Sequence, residues 1–103
     1  MGLNISVEVR RKIVCDNCGE IAGYGAVQAY SCSGRSLMPI VRDIGYTDED
    51  YGEYIELSPE KQKRLVEILS NVDPGDGYNV SKMMRAVAVA YTLGDAVFFE
   101  ADW

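Results

Sequence analysis

Ile5, Val7 and Val9 alternate with Ser6, Glu8 and Arg10, and the alternation runs on through Ile13 into Cys15-Asp16-Asn17-Cys18-Gly19. A period of two over this length reads as a half-buried strand. A C-x-x-C-G placed directly after a strand is a reversal of the chain. Its glycine permits the left-handed backbone that points two N–H groups at the sulfurs. The chain must therefore double back soon after residue 14. Tyr24, Ala26, Gln28 and Tyr30, alternating with Val27 and Ala29, supply the returning strand. Residues 4–14 and 24–31 are thus expected to form a hairpin around the knuckle. Arg11 falls on the apolar face, which calls for a bulge or a sheet edge near Arg10-Arg11-Lys12.

The remainder alternates between helical and extended patterns. Ser31-Cys32-Ser33-Gly34 is a break, and residues 36–44 suit a short helix with Ser36 as cap, Pro39 in the first turn and Gly45 as stop. Thr47-Asp48-Glu49-Asp50 is a polar turn. Tyr51, Glu53, Ile55 and Leu57 then read as a third strand. Ser58-Pro59-Glu60 combines a hydroxyl cap, an N-terminal proline and an acid at the positive end of the dipole. The helix it starts carries Leu65, Ile68, Leu69 and Val72 on one stripe, with Lys63, Arg64 and Glu67 toward water. A glycine-rich turn from Asn71 to Gly77 follows; Asp73 to Asn79 lacks the acidic spacing of a calcium loop. Ser81 is the expected cap of a last helix whose Val80, Met83, Met84, Val87, Ala88 and Tyr91 share one face. Ala86, Val89 and Ala90 make its other sides apolar too, as in a helix that is central or shared with another chain. Gly94 closes it, and Ala96-Val97-Phe98-Phe99-Glu100 reads as the last strand, ending at Trp103. The order β-β-α-β-α-α-β is an α+β pattern, an antiparallel sheet packed with two main helices. With 103 residues there is room for one core, so residues 1–103 are expected to be a single domain.

Charge is distributed unevenly. The net charge is −6, yet seven acids lie between Asp43 and Glu60 with no base among them, and the rest of the chain holds nine acids against ten bases. A local acidic patch repels phosphate backbones and attracts basic protein surfaces. Tyr46, Tyr51 and Tyr54 are interleaved with these acids, a composition suited to protein interfaces. Tyrosine is also simply favoured in strands, and an acidic run also suits a solvated face. The residues expected to meet a partner are Asp43, Tyr46, Asp48, Glu49, Asp50, Tyr51, Glu53, Tyr54 and Glu56.

The knuckle resembles the first half of the zinc-ribbon proteins found among small phage and bacterial gene products. In that group a second C-P-x-C often follows a strand; here Tyr54-Ile55-Glu56-Leu57 leads into Ser58-Pro59-Glu60-Lys61. Ser58 and Lys61 stand where the second cysteine pair would be, which implies a second knuckle converted to a helix cap. A structural zinc needs four ligands. The chain has no histidine, and Cys32 is its only cysteine beyond Cys15 and Cys18. A zinc on Cys15, Cys18 and Cys32 would have to borrow a carboxylate, Asp16 or Asp43, or a second chain. Cys32 reads equally as a small buried thiol. The ligand count favours a knuckle without metal and no cofactor, with zinc as the alternative.

Catalysis has few candidates. Without histidine the usual general base is missing, and neither a G-x-S-x-G elbow nor a phosphate-binding glycine loop is present. The expectation is a small cytosolic protein-binding module and not an enzyme, of the kind with which a phage inhibits a host or defence protein. Its partner would be a protein with a basic surface, with no direct contact to nucleic acid or membrane, and with self-association as a homodimer open. The alternative is a structural zinc-ribbon-like module inside a larger assembly.

Overall fold

The computed structural model describes residues 3–33, 37–71 and 77–103. Strands β1 (Asn4–Val14) and β2 (Ile21–Ser33) form the hairpin. Helix α1 (Met38–Ile44), strand β3 (Ile55–Glu56), helices α2 (Pro59–Asn71) and α3 (Gly77–Leu93) and strand β4 (Ala96–Asp102) follow. The sheet runs β2-β1-β4-β3 and every pairing is antiparallel. This is the α+β architecture expected from the patterning.

Strand parity sorts the two faces of the sheet. Ile5, Val7 and Val9 oppose Ala101, Phe99 and Val97 across the β1–β4 ladder, and Cys32 opposes Ile5 on the other side. These residues point at the helices and form the core with Leu65, Leu69, Met83 and Val87. Their burial is the main stabilising term, and alternate positions then face away from it. The back face carries Ser6, Glu8, Arg10, Phe98 and Glu100.

The hairpin register shifts between Arg10 and Lys12 and again between Ile13 and Val14. The extra residues lie on β2, so β1 keeps its alternation and Arg11 stays on the helix side of the sheet. The bulge expected from Arg11 is therefore present, and β2 begins earlier than the sequence pattern suggests, at Ile21. Beyond Arg10 the hairpin loses β4 as a neighbour. Its distal part is a two-stranded arm, and the molecule measures 47 × 27 × 21 Å.

Two expected elements need correction. The third strand over Tyr51–Leu57 shrinks to Ile55–Glu56, because Asp48–Asp50 winds into a 3-10 turn and Tyr51–Glu53 bends after it. Leu57 adds one bond to the sheet, its N–H donating to the Val97 carbonyl at 2.8 Å. Ser81 is not a cap, since α3 starts at Gly77 and Ser81 lies inside it. Ser36, Val72 and the 72–76 part of the glycine-rich turn lie outside the described residues.

Other local rules hold. Pro39 sits in the first turn of α1, and Gly45 ends it at φ +82°, a left-handed conformation that glycine adopts without a Cβ penalty. Ser58 caps α2, its Oγ accepting the Lys61 N–H at 3.3 Å. Gln62, absent from the expected core, is 4 % exposed; it donates its amide to the Leu57 carbonyl at 3.2 Å and ties α2 to the end of β3.

Candidate functional site

Residues 43–60 wrap around the β3 edge of the sheet, and the fold divides their side chains into three groups. The first group is structural. Tyr46 is 4 % exposed, packed edge-on against Phe99 and Trp103. Its hydroxyl donates to the Asp50 carbonyl at 2.5 Å and the Glu53 carbonyl at 3.0 Å. Asp50 accepts the Thr47 N–H at 3.1 Å and the Thr47 hydroxyl at 3.2 Å, closing the turn on itself. Asp43 pairs with Arg64 at 3.1 Å. Of these three expected contacts Tyr46 belongs to the core, while Asp50 braces the turn and Asp43 stays exposed in its pair with Arg64.

The second group lies on the back face of the sheet. Tyr24 donates to Glu56 at 3.0 Å and meets Phe98 edge-on with ring centres 5.5 Å apart. Arg10 covers the other side of this cluster, its guanidinium 4.3 Å from the Phe98 ring centre and ion-paired with Glu8. The bond to Glu56 raises the Tyr24 phenol above its usual range, since the carboxylate favours the protonated form. Tyr54 is raised too, by desolvation first and then by the charges of Glu8 and Glu100.

The third group is the turn from Thr47 to Glu53. Asp48, Glu49 and Glu53 are exposed there, and none forms a salt bridge among the described residues. Tyr51 holds the turn against the chain's C-terminal residues. Its hydroxyl donates to Asp102 at 2.6 Å and to the Trp103 carbonyl at 3.0 Å, and its ring meets the Trp103 ring at 4.9 Å. Beside the turn a shallow depression of about 340 Å³ is floored by Met38, Val41, Tyr46 and Trp103 and rimmed by Thr47, Asp48 and Arg42. Its lining is mostly apolar and carries one acid, Asp48, and one base, Arg42. Trp103 and Asp102, which sequence reasoning left out of the site, frame it. Their only signal was an acid at the end of the last strand and an aromatic residue directly after it.

A second concavity of about 580 Å³ lies between the hairpin and α3, lined by Val9, Arg11, Gln28 and Tyr30 from the sheet and by Lys82, Arg85, Val89 and Leu93 from the helix. Val89 and Leu93 are exposed, so α3 is buried along Val80, Met83, Val87 and Ala90 and leaves an apolar side open. The all-round apolar sequence of α3 was the signal for it.

The knuckle sits at the far tip of the arm. The Cys15 N–H donates to the Glu20 carbonyl at 2.8 Å, and Gly19, at φ +73°, donates to the Cys15 carbonyl at 2.9 Å. The Cys18 thiol and the backbone N–H groups of Asn17 and Cys18 bond the Cys15 sulfur and hold its thiol below the usual cysteine range. Cys32 does not join this pair. It is buried opposite Ile5, its thiol donating to the Met83 sulfur at 3.6 Å. Ten residues of β1 separate Ile5 from Cys15, roughly 33 Å of strand. Of the two carboxylates suggested as ligands, Asp43 is paired with Arg64 on α2, and Asp16, though in the knuckle, forms no metal-binding cluster with the two thiols. Ser58 and Lys61, likened to a second knuckle, cap α2, and the Lys61 amine reaches Gly45 at the end of α1. Among the described residues no three metal-binding side chains converge.

No described helix is long and apolar enough to cross a membrane. No protein-family model, curated protein or solved structure matches this chain.

Proposed function

We propose that this chain is a protein-binding module, not an enzyme, and that it acts in the cytosol by occupying a basic surface on a partner. The contact is the acidic turn at residues 47–53 with the Trp103 depression beside it. The observation that carries this reading is a fixed backbone bearing uncompensated charge. Tyr46, Asp50 and Tyr51 fasten the turn, while Asp48, Glu49 and Glu53 are exposed without an ion-pair partner among the described residues. A turn ordered before binding loses little conformational entropy on docking, and its charge steers a basic partner to it. Inhibition of a host or defence protein of a phage-infected cell follows if that basic surface is one the partner needs. A second reading, a structural zinc-ribbon-like module in a larger assembly, draws on the preserved knuckle turn.

The test is charge reversal at Asp48, Glu49 and Glu53 together. Asp50 is spared because it caps the turn. Wild type and the triple lysine variant are used as baits in a bacterial lysate, and the affinity of any captured protein is measured at low and physiological salt. The variant should fold, and its affinity for the captured partner should fall at least about tenfold, with the salt dependence lost. Unchanged affinity and unchanged salt dependence would move the contact surface away from this turn.

A further inference from the structure

The knuckle supplies half of a tetrahedral zinc site at the end of an exposed arm, and among the described residues no other side chain of the same chain completes it. Both thiols belong to one turn, and the third cysteine is locked in the core about ten residues of strand away. The turn nonetheless keeps the backbone of a ligating knuckle: Gly19 is left-handed at φ +73° and its N–H donates to the Cys15 carbonyl at 2.9 Å. The arm around it has no core of its own. Ile13 and Ile21 are each 50 % exposed and Val14 is 53 % exposed, close to the knuckle and on both faces of the hairpin. Apolar side chains on a bare two-stranded tip are more favourable covered than wet.

We propose that two copies of this chain meet tip to tip and share one zinc ion, Cys15 and Cys18 of each supplying the four ligands. Four thiols lose four protons as one Zn²⁺ binds, giving a closed tetrathiolate with no position left for water. The second copy is the fitting occupant because it brings the missing donor pair in the same geometry, related by a two-fold axis through the metal. The facing Ile13, Val14 and Ile21 side chains would then cover one another. Alone, the chain brings only the two knuckle thiols together among its described residues.

This assembly has a consequence for presentation. The acidic turn lies against Asp102 and Trp103, and Asp102 pairs with Asn4 at the opposite end of β1 from the knuckle. A dimer joined at the knuckles therefore carries its two acidic turns at its two far ends. The zinc site does not depend on those turns and stands or falls separately from them.

Metal and mass are measured together. The reduced 103-residue chain is titrated with Co²⁺ and then Zn²⁺, followed by thiolate-to-cobalt charge-transfer absorbance and by light scattering on a sizing column. The expected result is a break at half an equivalent of metal, tetrahedral cobalt bands and a doubling of mass, reversed to monomer by a chelator. Cys15→Ser/Cys18→Ser should stay monomeric and bind neither metal, with its thermal unfolding unchanged because the arm lies outside the core. The triple reversal at Asp48, Glu49 and Glu53 should dimerise as wild type does. A break at one equivalent with monomer mass, absence of metal binding, or a dimer that survives both chelation and the double serine change overturns the proposal. The chelator result on wild type stands even if the serine variant fails to fold.

Discussion

Tyr51 shows how a single side chain ties a functional turn to the rest of the fold. Its hydroxyl proton is held by Asp102, and that bond, followed by desolvation and the Asp102 charge, raises the phenol above its ordinary value of 10.0. The folded value exceeds the unfolded one. The contribution of this bond to stability is therefore complete below the ordinary tyrosine value and is lost as pH rises through the raised one. Alkaline titration of phenolate absorbance should show that Tyr51→Phe removes a late-titrating phenol, and Tyr24→Phe another. Loss of a phenol in the ordinary range from either variant would mean that these bonds do not form in solution. Neither bond was legible in the sequence, because Tyr51 and Asp102 are joined only when β4 brings the chain's end alongside the acidic turn.

At the scale of elements, α3 and α2 differ in what a substitution should cost. Val87 is fully buried in the middle of α3. Val87→Asp places a charge there without a partner and should cost several kcal/mol, a large share of the roughly 5–15 kcal/mol that holds a small domain together. Ser58→Ala removes the α2 cap and should cost about 1 kcal/mol. Glu67→Ala touches only an exposed pair with Arg64 at 3.4 Å and should cost about half a kcal/mol or less. Chemical denaturation of the three variants should rank them in that order; equal midpoints would contradict the helix faces. The faces of α2 were readable from its stripe, since Leu65, Ile68 and Leu69 are buried as expected. The faces of α3 were only half readable. The periodic face included Val80, Met83 and Val87, which are buried, but apolar residues on the other sides blurred its edge, and the fold took Ala90 into the core and left Tyr91 exposed.

For the whole molecule, the net charge of −6 predicts weak binding to nucleic acid. The basic run Arg10-Arg11-Lys12 is split by strand alternation: Arg10 lies over Phe98 on the back face and is paired with Glu8, while Arg11 lines the cleft on the other side. Arg11 shares that cleft with Lys82 and Arg85, but at a net charge of −6 the field of the whole molecule repels a phosphate backbone. Gel shift or fluorescence anisotropy at physiological salt should find no duplex binding below micromolar concentrations. Sub-micromolar affinity would contradict this and the basic-partner reading together.

Sequence alone determined the local order of the chain. Alternation specified β1 and much of β2, the Ser58-Pro59 cap specified the start of α2, and Gly45 and Gly19 marked turns that require a left-handed backbone. These signals are local, set by side-chain period and backbone sterics, and a single sequence carries them in full. Tertiary structure decided what became of the acidic and cysteine-bearing residues. Tyr46 was drawn into the core, Asp43 and Asp50 were taken up by Arg64 and Thr47, and Asp48, Glu49 and Glu53 were left facing solvent. Cys32 was carried to the opposite end of the hairpin from Cys15 and Cys18. Each of these outcomes depends on which distant strand or helix arrives beside the residue. That depends on packing among side chains far apart in the chain, and no local pattern encodes it.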